Sequence, residues 1–338
     1  MKKVKFSVGI DISSSFFTVT ILSFNFDFIS EGEFFSNNDG FDKFADFLKK
    51  YKATKSNSHL IMEATGVYTE ELCLYLHNKG YQFSVASPLK VKKAFGNKVN
   101  IDDWIASKKI AEYGIRYSDE LVLWQPPDNI LEQVKILLSL REQMVRESTV
   151  FKNRTHALKK KVIQSQTVID ITVELINKLN ASIKEVENEI RTLIKSETHL
   201  GSLFLRLISV PGVGLLLATE LMVLTQGFTK TLDSKEIAAY LGICPHSKQS
   251  GTSINRKAKS TGIGPSRLRK LIYLAALSLR IHNPMFKEYF LRKQLAGKKP
   301  KLILNNIANK LLKIICGVIK SGKSYFKDYR PLPPALAA

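Results

Sequence analysis

The sequence predicts an α/β domain at the N-terminus, then a long helical arm, then a basic and mainly helical C-terminal part. Three observations carry this. Apolar, β-branched runs of strand length dominate the first ninety residues and then alternate with helical spacings. Past "WQPPDN" (124–129) the apolar period changes to a sustained mix of threes and fours. The net charge of +21 lies wholly beyond residue 150, because residues 1–150 hold 19 Lys+Arg and 19 Asp+Glu.

The elements follow in order. "VKFSVGID" (4–11) is an apolar strand that stops at an acid, and "FFTVTILSF" (16–24) and "FISEGEFF" (28–35) continue as strands. "NDG" (38–40) makes a turn into "FDKFADFLKKY" (41–51), where Phe41, Phe44, Phe47 and Leu48 have helical spacing. "HLIMEATG" (59–66) reads as a short buried strand with Glu63 at its end, "TEELCLYLHNKG" (69–80) as a helix closed by Gly80, and "YQFSVASP" (81–88) as a further strand. Three hairpin-like strands followed by alternating helix and strand imply a sheet covered by helices.

In the arm, Ile130, Val134, Leu137, Arg141 and Met144 form one stripe and Leu175, Leu179, Ile183, Val186, Ile190 and Leu193 another. Two such stripes, with "NRTHALKKK" (153–161) between them, predict an antiparallel coiled coil. The last third carries "SVPGVGLLLATEL" (209–221), "AAYLGICPHSKQSGTS" (238–253), "AKSTGIGPSRLRKLIYLAALS" (258–278) and an amphipathic basic stretch at 303–322. Residues 251–330 alone hold 19 Lys and Arg against Glu288 and Asp328. A neutral half joined to a strongly basic half points to a polyanion partner, most often nucleic acid; a solvated lysine-rich surface is the plainer reading.

Cys73, Cys244 and Cys316 are scattered, with no CxxC, and the six histidines match no HExxH pattern, so structural zinc is not expected and the thiols are expected reduced in the cytoplasm. No stretch approaches about 18 uninterrupted apolar residues, which argues against a membrane span.

Several residues bear on chemistry. Asp11 and Glu63 end apolar strands, and Asp103 stands at the start of a helix; on neighbouring strands they would face one point. Carboxylates gathered without bases repel unless divalent cations neutralise them, and two Mg²⁺ ions suit phosphoryl transfer. Each acid has a plainer reading: a turn residue for Asp11, a strand-end hydrogen bond for Glu63, helix N-capping for Asp102 and Asp103. Gly212 and Gly214 in "PGVG" resemble the turn of a helix-hairpin-helix element, where backbone N–H groups approach a phosphate, or form an ordinary turn. Arg256, Lys257, Lys259, Arg267, Arg269 and Lys270 are candidates for phosphate contact. Ser250, in "KQSG", lies in a basic, loop-like segment of the kind a phosphate-attacking serine requires, although serine followed by glycine is common in loops.

In this order, "GIDISS" with Asp11, "MEATGVY" with Glu63, "VASPLKVKKAFGNKVNIDDWIASKKIAEYG", "VPGVGLLLATEL", "AAYLGICPHSKQSG" and "KSTGIGPSRLRKLIYLAA" resemble the DEDD transposases of the insertion-sequence-one-hundred-and-ten family. They are similar also to the Piv-type DNA invertases. The resemblance spans almost the whole chain. It implies a RuvC-like, ribonuclease-H-type domain over 1–125, a coiled-coil arm over 126–198, a C-terminal transposase domain over 199–330, and a tail at 331–338. It implies Mg²⁺ bound by four acids and a serine, by motif Ser250, that forms a covalent link to DNA. It further implies homo-oligomers, dimer or tetramer, with composite sites, element-end and target DNA as substrates, and a structured guide RNA that bridges them.

One position departs from the pattern. The family reads Asp-x-x-Asp, a small residue, then an "IA" pair; counting back from Ile110 and Ala111 puts Asp103 at the third acid, Ala106 at the fourth and Ser107 at the small residue. Asp102 would lie about 6 Å along the helix from position 106, a full turn away. The expectation is an impaired recombinase. A water-using RuvC-like nuclease and a catalytically dead nucleic-acid-binding relative are the alternatives.

Overall fold

The computed structural model describes residues 4–95, 102–250 and 254–326, and only the backbone of 246–250 and 254–259. The chain divides into two compact units, Met1–Pro126 and Pro127–Ala338.

The first unit is built on a five-stranded sheet of order β3-β2-β1-β4-β5, formed by β1 (Phe6–Ile12), β2 (Phe16–Ser23), β3 (Phe28–Phe35), β4 (Ser58–Glu63) and β5 (Phe83–Ala86). β1 pairs antiparallel with β2 and β2 with β3, while β4 lies parallel to β1 and β5 parallel to β4. Short turns join the antiparallel strands; the parallel ones need crossovers, supplied by the helices α1 (Asn38–Lys50) and α2 (Glu70–Asn78). Alternation sorts the side chains of β1. Val8, Ile10 and Ile12 join Phe41, Phe44, Leu48, Leu72 and Leu76 of these helices in one core. A short α3 (Pro88–Phe95) and α4 (Asp103–Arg116) belong to the other face, where Ile61 and Ala86 pack with Val91, Ile110 and Tyr113.

The opposite face of β1 carries Ser7, Gly9 and Asp11, residues too small to fill a core alone, and α4 descends onto them. A Cβ at Gly9 would meet Ser107 O at 2.0 Å and Ala111 N at 2.3 Å, and one at Gly114 would meet Ile61 Cδ1 at 2.3 Å. Glycine at 9 therefore lets helix and sheet backbones touch, and glycine at 114 leaves room for the Ile61 and Ser7 side chains. Hydrogen bonds lock the contact: Ser7 Oγ donates to Ala111 O at 2.7 Å, and Thr20 Oγ1 and Ser107 Oγ lie 2.7 Å apart. The small residue and the "IA" pair read from the sequence thus mark the sheet-facing side of α4.

The second unit begins with a helical hairpin, α5 (Asn129–Leu158) and α6 (Gln166–Ser196). The pairs Arg141–Glu187 (2.7 Å) and Ser148–Asn180 (3.2 Å) run in opposite chain directions, so the hairpin is antiparallel. Val134, Met144 and Ile190 of the expected stripes are buried, but the seam is offset elsewhere. Leu131 and Leu138 are fully buried rather than Ile130 and Leu137, and Ile169, Thr172 and Ile176 are buried while Leu175 is 40% exposed. The reason is tertiary. The base of the hairpin turns Leu131, Val134, Leu138, Ile190 and Ile194 into a core shared with the following helices, and adjacent apolar pairs leave the sequence period compatible with either register.

Those helices are α7 (Thr198–Ser209), α8 (Leu215–Thr225), α9 (Ser234–Tyr240), α10 (Ser266–His282), α11 (Pro284–Leu295) and α12 (Pro300–Ser321), with a hairpin of β6 (Pro245–Ser250) and β7 (Ile254–Ser260) between α9 and α10. By length and composition α12 is the one described helix apolar enough to cross a membrane. Its apolarity is accounted for by packing: Ile303, Leu304, Ile307, Leu311, Leu312 and Ile315 lie in the core of this unit.

Candidate active site

The strands place Asp11 and Glu63 side by side. β1 and β4 are in register through Ile10–Met62, and Asp11 and Glu63 are the next residue on each, so both side chains leave the same face at the same end. Asp103 reaches that face by a different route. Asp11 pairs across the sheet with Thr18 of β2, and Thr18 Oγ1 donates to Asp103 O at 3.0 Å. The first turn of α4 is therefore tethered one strand from Asp11.

Electrostatics shows that these carboxylates feel one another. Burial, and then the Asp103 charge, pushes the Asp11 carboxyl above the ordinary carboxylate range; the Ile12 N–H pulls weakly the other way. Burial, and then Asp11, raises Glu63. Desolvated acids that repel one another suit a site that carries cationic charge in use. Thr65 Oγ1, two residues past Glu63, is a buried oxygen with no partner among the described residues. The donors are hard oxygens, the kind Mg²⁺ takes. Among the described residues no three His, Cys, Asp or Glu side chains close around a single point.

Asp102 is the N-cap of α4: its backbone is extended and its carboxylate accepts from Ile105 N at 2.8 Å. The capping reading holds for it, and a carboxylate engaged there does not stand in for one at 106. Ala106 lies one turn on from Asp103, half-buried, with its N–H bonded to Asp102 O at 2.9 Å.

In the second unit, Ser250 is the last residue of β6, paired in register with Ile254. The segment read as loop-like is thus a two-stranded ribbon on the described backbone. Alternation gave no signal because neither strand carries an apolar face. Its register sets Lys248 opposite Arg256 and His246 opposite Lys259. Like charges directly opposite destabilise a bare sheet and suit one that meets a polyanion. Lys257 lies on the same strand, β7; the side chains of Ser250, Arg256, Lys257 and Lys259 fall outside the described residues.

Gly212 takes φ +82° between α7 and α8, and a Cβ there would meet Leu279 Cγ at 3.0 Å and Ala275 O at 3.3 Å, so this glycine is required by the turn and by packing on α10. Gly214 is the N-cap of α8, with nothing within 4 Å of where a Cβ would stand. Arg267 and Arg269 of α10 have intrachain partners. Arg267 pairs with Glu220 of α8 and donates to Leu138 O of α5 at 2.9 Å. Arg269 donates to Leu241 O at 2.9 Å. Lys270 is exposed. Both arginines are candidates for phosphate contact by charge; charge alone does not reveal a partner 47 residues away, as Glu220 is from Arg267. Sequence reasoning does not reach Gly9, Thr18 and Thr20, which position the acids; a glycine and two threonines in strands carry no signal until α4 is seen to lie on them.

Two family models match. One, described as a transposase of the DEDD type, covers residues 8–163; the other, described as the transposase IS116/IS110/IS902 family, covers residues 205–291. The pilin gene-inverting protein of Moraxella lacunata is 27% identical over 324 residues, 95% of this chain and 97% of that one, and its counterpart from Moraxella bovis matches to the same extent. An uncharacterized 43.6 kDa protein of insertion element IS110 from Streptomyces coelicolor is 25% identical over 177 residues, 52% of this chain and 43% of that one. The two models together match most of the chain, and the chain belongs to the IS110 family of transposases.

Proposed function

We propose that the chain is a DNA recombinase of the transposase and invertase type, acting through Mg²⁺ and a serine–DNA link, and that its activity is impaired by alanine at position 106. The observation that supports the first part is that Asp11 and Glu63 leave one face of β1 and β4 at the same end, with Asp11 raised by burial and the Asp103 charge and Glu63 by burial and Asp11. A sheet whose antiparallel half is continued by parallel strands, with acids ending its adjacent strands β1 and β4, supports a RuvC-like, ribonuclease-H-type domain. Asp11, Glu63 and Asp103 would hold Mg²⁺, which, when bound, stabilises charge on the entering and leaving oxygens of a phosphodiester.

Ser250 Oγ attacks the scissile phosphorus and forms a P–O bond to the protein. The bond to the leaving deoxyribose oxygen breaks, and that oxygen takes up a proton as a free hydroxyl. Attack by such a hydroxyl of another strand on the serine phosphodiester reverses the step and rejoins DNA, so bond energy is conserved without a cofactor input. The cationic register of β6 and β7 supports phosphate binding around the serine. A guide RNA and a homo-oligomer follow from the family resemblance, and the excess positive charge is compatible with both.

The test is denaturing electrophoresis of the Ala106→Asp protein with labelled element-end DNA, candidate RNA and Mg²⁺. A protein–DNA adduct that is absent in Ser250→Ala supports the reading. Strand nicking without an adduct would assign a water-using nuclease, and binding with neither would assign a dead relative.

A further inference from the structure

We propose that the groove between α3 and α4 is a subsite for single-stranded DNA, holding a nucleotide close along the strand to the one at the acids. This rests on the reading of Asp11, Glu63 and Asp103 given above. α4 has two working faces. Ser107, Ile110, Ala111 and Gly114 are buried towards the sheet, whereas Ile105, Lys108, Lys109, Glu112 and Arg116 line, with Phe95, a groove of about 500 Å³. That volume admits a nucleotide-sized ligand.

Its chemistry is that of a strand contact. Glu112, its one acid, lies 3.3 Å from Arg116. Lys108 and Lys109 have no acidic partner among the described residues. The Arg116 guanidinium is held over two rings, 5.1 Å from the Phe95 centroid and 5.7 Å from that of Phe26. An aromatic ring backed by a stacked guanidinium offers a surface for a base, and two free ammonium groups beside it offer partners for the flanking phosphates. Position ties the groove to the acids. Lys108 follows Asp103 by five residues, about 7.5 Å along the helix and about 140° round it, so a strand with one phosphate at the acids reaches the lysines within about two nucleotides. The same helix thus presents the cutting site at its N-terminus and a grip on the strand along its outer face. Gly9 lets it sit directly against the sheet.

The test uses full-length protein and a single-stranded DNA oligonucleotide substituted with 5-iodouracil, irradiated and mapped by mass spectrometry. The expected result is a crosslink on Phe95. Its yield falls about tenfold in Lys108→Ala/Lys109→Ala, and the salt slope of binding falls by about 1.4, the value for two lost phosphate contacts on a single strand. Phe95→Ala loses the crosslink with an unchanged salt slope, and Phe95→Tyr restores it. No crosslink at Phe95, an unaltered yield in the double lysine variant, or a crosslink formed only by RNA of the same sequence would overturn the proposal. Asp11→Asn made in the Ala106→Asp protein separates the two readings: it keeps the crosslink and loses cutting if both hold, whereas retained cutting would remove the acid reading whatever the crosslink shows.

Discussion

Gly9 of β1 lies against Ala111 of α4 so closely that a Cβ on residue 9 would stand 2.3 Å from Ala111 N. Real Cβ atoms do not approach backbone that closely, so helix and sheet can meet there only through glycine. This contact seats α4, and α4 carries Asp103 to the acids on β1 and β4.

Gly9→Ala therefore forces α4 away from the sheet. The expected cost is about 1–3 kcal/mol of unfolding free energy, the range for overpacking. Metal-dependent DNA cutting in an otherwise competent protein should fall further than the stability loss accounts for. Urea unfolding and cutting assays on the same preparations check this; a variant with parental stability and activity would show that α4 does not depend on this contact.

Asp11→Asn should raise stability at neutral pH. Asp11 titrates higher in the fold than in the unfolded chain, because burial and Asp103 disfavour its charge. Between those two values the folded state holds more protons, so stability falls as pH rises through the window and stays lower above it. Asparagine removes that penalty. The gain in Tm should appear at pH 7 and vanish below about pH 3.9, the ordinary aspartate value. Mg²⁺ should raise the parental Tm at pH 7 and leave Asp11→Asn nearly unmoved. A variant less stable than the parent at neutral pH would contradict the electrostatic account. His59, lowered by burial, makes the opposite contribution in both proteins: its stability is lost as pH falls below the ordinary histidine range, so it cancels in the comparison.

Ala106→Asp should increase strand exchange or adduct yield by on the order of a hundredfold, the scale on which misplacing reacting groups is felt. Positions 103 and 106 are three apart on one helix, so their side chains share a flank, and Asp102 is held at the cap by Ile105 N. Side-by-side assays at equal protein, RNA and Mg²⁺ decide it. Equal activity of the two proteins would mean that three carboxylates suffice or that the fourth ligand stands elsewhere.

Arg267→Ala should act on stability rather than on DNA contact. It strands Glu220, whose side chain is 12% exposed and whose carboxyl is raised by burial in spite of the arginine. Breaking such a pair costs about 3–5 kcal/mol, whereas replacing both partners by apolar residues is close to neutral. Thermal unfolding of Arg267→Ala and of Arg267→Met/Glu220→Leu should therefore give a low and a near-parental Tm. Lys257→Ala/Lys259→Ala should leave Tm unchanged and flatten the salt slope of nucleic-acid binding. The reverse pattern would return Arg267 to the nucleic-acid surface.

The sequence by itself determined most of the elements and the candidate residues. Strand-length apolar runs reaching Asp11 and Glu63, and the cap and first turn at Asp102 and Asp103, are local patterns written within a few residues of each position, whereas the vacancy at Ala106 is read through the family resemblance. The tertiary structure alone decided which of those residues meet. Asp11 and Glu63 become neighbours because β4 crosses over to pair with β1, and the charge of Asp103 is felt at Asp11 because Gly9, Thr18 and Thr20 accept α4. It also decided the seam of the long hairpin, where adjacent apolar residues left two registers open until the base packed into the core. It separated Arg267 and Arg269, held by Glu220 and backbone carbonyls, from the exposed Lys270. Period and charge are properties of neighbours along the chain. Pairing, desolvation and mutual repulsion depend on distances in space, and those exist only once the sheet and its helices have closed.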